Sequence, residues 1–222
     1  WRHAVTIDGD FGPQTESVLK AFQEYQNLPI SGKVTQDAFA ALSAPMDRAF
    51  KFVTDTADLR SLITTFAEQH LPNSPTELNS RNEGPWVRAY MDGHDGPEFP
   101  WCVGFVQTIL DQAFSVLNLN FETVMQRTYS CDVVAELGLR NNTLIRNRKL
   151  RQEPQMVKTG DVFLVVNTPR DWTHTGIVVG IEGDWLHTIE GNTNAGGSRE
   201  GIEVRRRMRN YMKSNIDVFT IN

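Results

Sequence analysis

Apolar positions follow two periods along this chain, helical in its N-terminal part and strand-like in its C-terminal third. Val18, Leu19, Phe22 and Tyr25 fall on one helical face, behind a turn supplied by Gly9 and Gly12 and a Pro13 suited to the first helical position. The stretch LPISGKVTQDAFAAL repeats this plan more briefly. Gly32 matches Gly9, Val34 matches Phe11, and Thr35 is placed to cap a helix carrying Phe39 and Leu42. Two turn-helix half-repeats are therefore expected over residues 1–45, a unit too small for a large core and one whose role is binding. Ser43 to Asp55 reads as a mixed connector, with the link itself at 46–56. A new helix is expected from about Asp58, with Leu59, Leu62, Ile63 and Phe66 at helical spacing. The Pro, Asn and Ser content of LPNSPTELNSRNEGP predicts a loop. A short helix around Trp86 to Tyr90 and a glycine-rich loop come next. From Cys102 to Leu117 the residues Phe105, Val106, Ile109, Leu110, Phe114 and Leu117 share one face, as in an amphipathic to buried helix.

The period then changes. DVFLVV, TGIVVGIEG, DWLHTIEGN and GIEVRRRM are short, β-branched and separated by glycine or polar turns, which predicts antiparallel strands. Helices followed by a sheet give residues 57–222 an α+β order, preceded by a small all-α unit.

Composition narrows the function classes. The 222 residues carry a formal net charge of -5, with 40% hydrophobic and 22% charged side chains, as in a globular protein of one or two domains. No apolar run approaches the roughly 18 residues that span a bilayer, so membrane insertion is not expected. No secretory pattern opens the sequence at Trp1, which leaves the compartment unread. Mild acidity counts against nucleic acid as a partner. Cys102 and Cys131 are too few for a disulfide framework. A single bridge between them is disfavoured, because it would consume the candidate thiolate.

Cys102 follows Pro100-Trp101 and opens the apolar helix-like run. A helix N-terminus favours an anion by about 0.3–1 kcal/mol, and more when partly buried. With a neighbouring imidazolium, it can bring a thiol from about 8.5 down to roughly 3.5–7.5. The amides there can also bind a developing oxyanion. A small buried core residue explains the segment equally well. Of the histidines His3, His70, His94, His174 and His187, only the last two lie in the strand region. His174 opens the β run HTGIVVG. Alternation along LHTIEGN puts Thr188, Glu190 and Asn192 on one face and His187 on the other. A Glu-x-Asn pair can fix the tautomer and orientation of an imidazole. Read alone, it is more simply a face meeting water.

PWCVGFV, GDVFLV, HTGIVVG and TIEGNTN together resemble the CHAP family of cysteine, histidine-dependent amidohydrolases and peptidases, over residues 57 to 222. The resemblance implies a papain-like fold, with Cys102 as nucleophile, His174 as general base, Glu190 orienting His174, and Asn192 as a second polar partner. It implies a substrate cleft shaped by Trp86 and Tyr90, with Trp101 and Trp172 also on the substrate side, although core packing explains such aromatics equally well. It implies no cofactor.

DGDFGPQTESVLKAFQ followed by SGKVTQDAFAAL resembles the small helical peptidoglycan-binding domain. Only seven residues precede Asp8, so most of that family's first helix is expected to be missing, and Ala38 stands where its second half-repeat usually has threonine. Together the two resemblances imply a monomeric peptidoglycan hydrolase acting at the bacterial cell wall. Two alternatives are an inactive wall-binding protein and a cysteine amidohydrolase with a non-wall substrate.

Other motifs add little. Asp8-x-Asp10 lacks the further ligands of a calcium loop, no HExxH is present, and no metal is expected. Arg205, Arg206, Arg207, Arg209 and Lys213 read first as a charged strand edge, second as a carboxylate-binding patch, and last as a nucleic-acid patch. Cys131 reads as a helix start or a core residue.

Overall fold

The computed structural model describes residue 5 and residues 8–53, 58–196 and 201–221. His3 and residues 54–57, where the expected link meets the second domain, lie outside them. The chain divides into two units, Trp1–Arg48 and Ala49–Asn222.

In the first unit, α1 (Pro13–Tyr25) starts on Pro13 and buries Leu19, Phe22 and Gln23. Gln23 ties the two half-repeats together. Its amide donates to the Lys33 carbonyl at 2.8 Å and accepts from the Ser31 and Gly32 amides at 3.0 and 2.9 Å. Thr35 accepts from the Ala38 amide, as its capping position predicts. Two expected features differ. Tyr25, Phe39 and Leu42 are exposed, and the small Ala38 is the buried contact instead. The second helix, α2 (Gln36–Ala49), also runs through Pro45 into the expected connector.

The second unit is α+β. α3 (Leu59–His70) is capped by Asp58, which accepts from the Ser61 amide, and it buries Leu62, Ile63 and Phe66. α4 (Pro85–Tyr90) is short, α5 (Cys102–Val116) is buried through its first turns and exposes Asp111 and Ser115 further on, and α6 (Cys131–Arg140) and α7 (Asn147–Gln152) follow. The strands are β1 (Leu144–Ile145), β2 (Val162–Thr168), β3 (Asp171–Glu182), β4 (Trp185–Thr193), β5 (Glu203–Asn210) and β6 (Ile216–Phe219). They form one antiparallel sheet in the order β1-β6-β2-β3-β4-β5.

Alternation sends neighbouring residues to opposite faces. Val162, Leu164, Ile177 and Ile189 join the core built on α3, α5 and α6. Phe163, Val178, Leu186 and Val218 join a second core with Leu150 of α7 and Val157. The central strands are covered on both sides, which accounts for the unbroken apolar run DVFLVV. β1 and β6 were too short and too weakly patterned to be read from the sequence.

Candidate active site

Cys102 is the first residue of α5, and its neighbours fix that helix end firmly. Trp101 is fully buried and stacks on Tyr90 with ring centroids 5.4 Å apart. Tyr90 in turn meets Phe105 edge-on. Gly104 lets the end of α4 reach the first turn of α5, since a Cβ there would lie 2.4 Å from the Tyr90 carbonyl oxygen. Gly191 does the same for β4, since its Cβ would lie 2.5 Å from that of Phe105. The strand carrying Glu190 can therefore close on the helix carrying Cys102.

His174 lies within β3, which starts at Asp171, three residues earlier than expected. The ring is 2% exposed. Its Nε2 is 2.9 Å from Glu190 Oε2, which leaves Nδ1 buried and without a hydrogen-bond partner among the described residues. Gly176 makes room for this pairing, because a Cβ there would lie 2.9 Å from Glu190 Cγ. Glu190 is itself held from two sides. Thr188 Oγ1 donates to its Oε1 at 2.6 Å, and Arg209 donates through Nε to Oε1 at 2.7 Å and through Nη2 to Oε2 at 2.5 Å. The Arg209 guanidinium also lies over the Phe163 ring at 5.1 Å.

Electrostatics follow from this packing. The Cys102 thiol is held well below its usual range. The Cys131 thiol, 3.9 Å away sulfur to sulfur, is the largest cause, and the His174 imidazole and Val103 amide add to it against the opposing effect of burial. Burial disfavours the His174 cation, but the Cys102 thiolate and the Glu190 carboxylate outweigh it and push its pKa up to about 9. Burial likewise disfavours the Glu190 carboxylate, yet Arg209 first and His174 second hold it at about 2. The site therefore favours a thiolate, an imidazolium and a carboxylate together.

The other expected residues fall in different places. Asn192 is fully buried with a left-handed φ of 53°, where pairing shifts between Glu190 and Thr193. That shift takes it out of the alternation expected from LHTIEGN. Neither atom of its amide has a partner among the described residues, and it does not hold the imidazole. Trp101 and Tyr90 are buried in the core rather than open to a cleft, Trp172 is buried in the core with one edge in a hollow of about 310 Å³ that Glu136, Arg140 and Arg170 also line, and Trp86 is half-buried and stacked on Tyr90. Flat apolar rings find more contact area between packed elements than in water, so they leave the surface. Trp172 bonds through Nε1 to Asp217 Oδ2. His70 is buried between Tyr90 and Gln112, and burial pushes its pKa down to about 4. His187 pairs with Glu182, and His94 stacks on Phe99.

Sequence reasoning missed Cys131 and Arg209 as neighbours of the site. β5 is an edge strand, as its charge predicts, yet Arg209 turns inward to Glu190 while Arg206 pairs outward with Glu68. Beside Pro100, a cleft of about 530 Å³ is lined by Glu77, Ser80, Arg81, Asn82, Gly201 and Ile202 among others. The Gly201 amide bonds to the Asn192 carbonyl, which ties one wall of this cleft to β4. Among the described residues no group of three or more His, Cys, Asp or Glu side chains is arranged to hold a metal ion.

Residues 3–42 match the peptidoglycan binding domain family. The match covers the two half-repeats and suggests association with the cell wall. No curated protein and no solved structure matches the chain. Among the described residues no helix is long and apolar enough to cross a membrane.

Proposed function

We propose that this chain is a cysteine-dependent peptidoglycan hydrolase with a papain-like catalytic domain of the CHAP type. It would cut an amide bond in the wall peptide or at the junction of sugar and peptide. The observation that carries this reading is the ordered relay at the start of α5: a helix-terminal thiol beside an imidazole whose far nitrogen is held by a buried, arginine-paired carboxylate. The match of residues 3–42 to a peptidoglycan binding family directs the reading to the wall.

In this mechanism the Cys102 thiolate attacks the amide carbon. The tetrahedral oxyanion takes hydrogen bonds from backbone N–H groups at the helix start. His174, protonated in the resting pair, gives its proton to the leaving amine and then takes one from water, which attacks the thioester and releases the acid. Glu190 keeps the imidazole in one orientation through both steps, and Arg209 and Thr188 keep Glu190 in place. The cleft beside Pro100 is where the substrate peptide would lie, and the peptidoglycan-binding unit would raise local concentration at the wall.

The test is digestion of purified peptidoglycan under reducing conditions by the native chain and by Cys102→Ala, with mass spectrometry of the fragments. Fragments are expected from the native chain, with release falling at least about 1,000-fold in the variant. Their masses name the bond. If walls of several chemotypes yield no fragments with either protein, the proposal fails.

A further inference from the structure

Cys131 stands to α6 as Cys102 stands to α5: each is the first residue of its helix. The start of α6 is pinned, because Ser130 caps it through the Val133 amide and Asp132 Oδ1 accepts from the Trp172 amide at 2.7 Å. Two helix N-termini thus converge on one pair of sulfurs, 3.9 Å apart, both free and both nearly buried. A structural core cysteine needs no such partner. A disulfide has its sulfurs about 2.05 Å apart, so closure must shorten this separation by roughly 2 Å. Thiolate is the form that peroxides oxidise, and two helix ends favour it here. The Cys131 thiol stays protonated well above its usual range, chiefly because the Cys102 thiolate accepts its hydrogen bond.

We propose that Cys102 and Cys131 form a reversible oxidation site, with Cys131 as the resolving thiol of the nucleophile. A peroxide is the oxidant. The Cys102 thiolate attacks one peroxide oxygen, the O–O bond breaks, and hydroxide leaves, which gives a sulfenic acid. Cys131 sulfur then attacks the Cys102 sulfur. The S–O bond breaks, and the hydroxyl leaves as water with the Cys131 proton. Two thiols have lost two electrons to one peroxide. The disulfide removes the nucleophile, and a dithiol restores it by exchange. The oxidation itself needs only this geometry. Its effect on hydrolysis rests on the proposed role of Cys102.

The experiment treats the reduced full chain, freed of reductant, with stoichiometric hydrogen peroxide. Free thiols are then blocked with N-ethylmaleimide in denaturant, which exposes both buried sulfurs, and the protein is weighed by mass spectrometry. The expected result is a change from two adducts to none at unchanged chain number, a peptide linking Cys102 to Cys131, and return of both adducts with dithiothreitol. Wall digestion should be lost and regained in step. In Cys131→Ser, peroxide should carry Cys102 on to acids that dithiothreitol does not reverse. Two adducts persisting in the native chain, or only links between chains, would overturn the proposal without reliance on the variant. If the link forms and reverses but the reduced chain never digests any wall, the oxidation site stands and the hydrolase reading fails.

Discussion

Glu190 accepts hydrogen bonds from Thr188 and twice from Arg209, and it still meets the imidazole of His174. Such a carboxylate is fixed in position and stays charged. It is also one of the groups that raise His174 to about 9, so the thiolate–imidazolium pair persists up to that pH and is lost as pH rises through it. Removing the charge by Glu190→Gln removes support from the imidazolium. The alkaline limb of wall digestion is then expected to move down by about 1–3 pH units, read from a pH–rate profile. An unmoved limb would deny Glu190 its electrostatic role. Linkage gives matching signs for stability. The raised His174 contributes stability that is full below its ordinary value of 6.5 and lost through about 9, whereas the lowered Glu190 contributes stability present above 4.5 and lost as pH falls through about 2.

At the scale of elements, the site exists because α5 and β4 touch. Gly191 sits at that contact, and a methyl group there would lie 2.5 Å from Phe105 Cβ and 3.0 Å from the Trp101 ring. Trp101 precedes Cys102 and Phe105 follows it in the first turn of α5, so relieving the overlap shifts the helix start that carries Cys102. Gly191→Ala is expected to destabilise the fold by about 1–3 kcal/mol in urea unfolding. It should also slow wall digestion by about 100-fold, the scale of a 1 Å misplacement. Full activity with unchanged stability would mean the contact has slack. The same reasoning explains why the helix and strands were legible but their junction was not. Period and turn residues announce each element, whereas the closeness that demands glycine belongs to the pair.

At the scale of the whole molecule, the two units call for separate tests. Ala49 and Phe50 belong to the second one. The Ala49 carbonyl accepts from Gln69 and Gln112, and the Phe50 ring meets His70. A deletion must therefore end at residue 48 rather than at the 45 expected from the sequence. Removing residues 1–48 is expected to abolish pull-down with purified wall and to leave cleavage of a soluble wall peptide within about threefold. Pull-down that survives the deletion would move wall recognition into the second unit.

The sequence by itself determined the α+β order, the start of α5 at Cys102, the strand runs containing His174 and Glu190, and the turn-helix pair that matches a peptidoglycan binding family. These are local properties, set by periodicity, capping and turn chemistry over a few residues. The tertiary structure alone decided that Cys131 lies against Cys102, that Arg209 on the basic edge binds Glu190, that Asn192 makes no hydrogen bond to the imidazole, and that Trp101, Tyr90 and Trp172 are core. Each depends on which elements pack together across long stretches of chain. Close packing and the cost of burying an unpaired charge act on neighbours in space, and nothing in the spacing of residues names those neighbours.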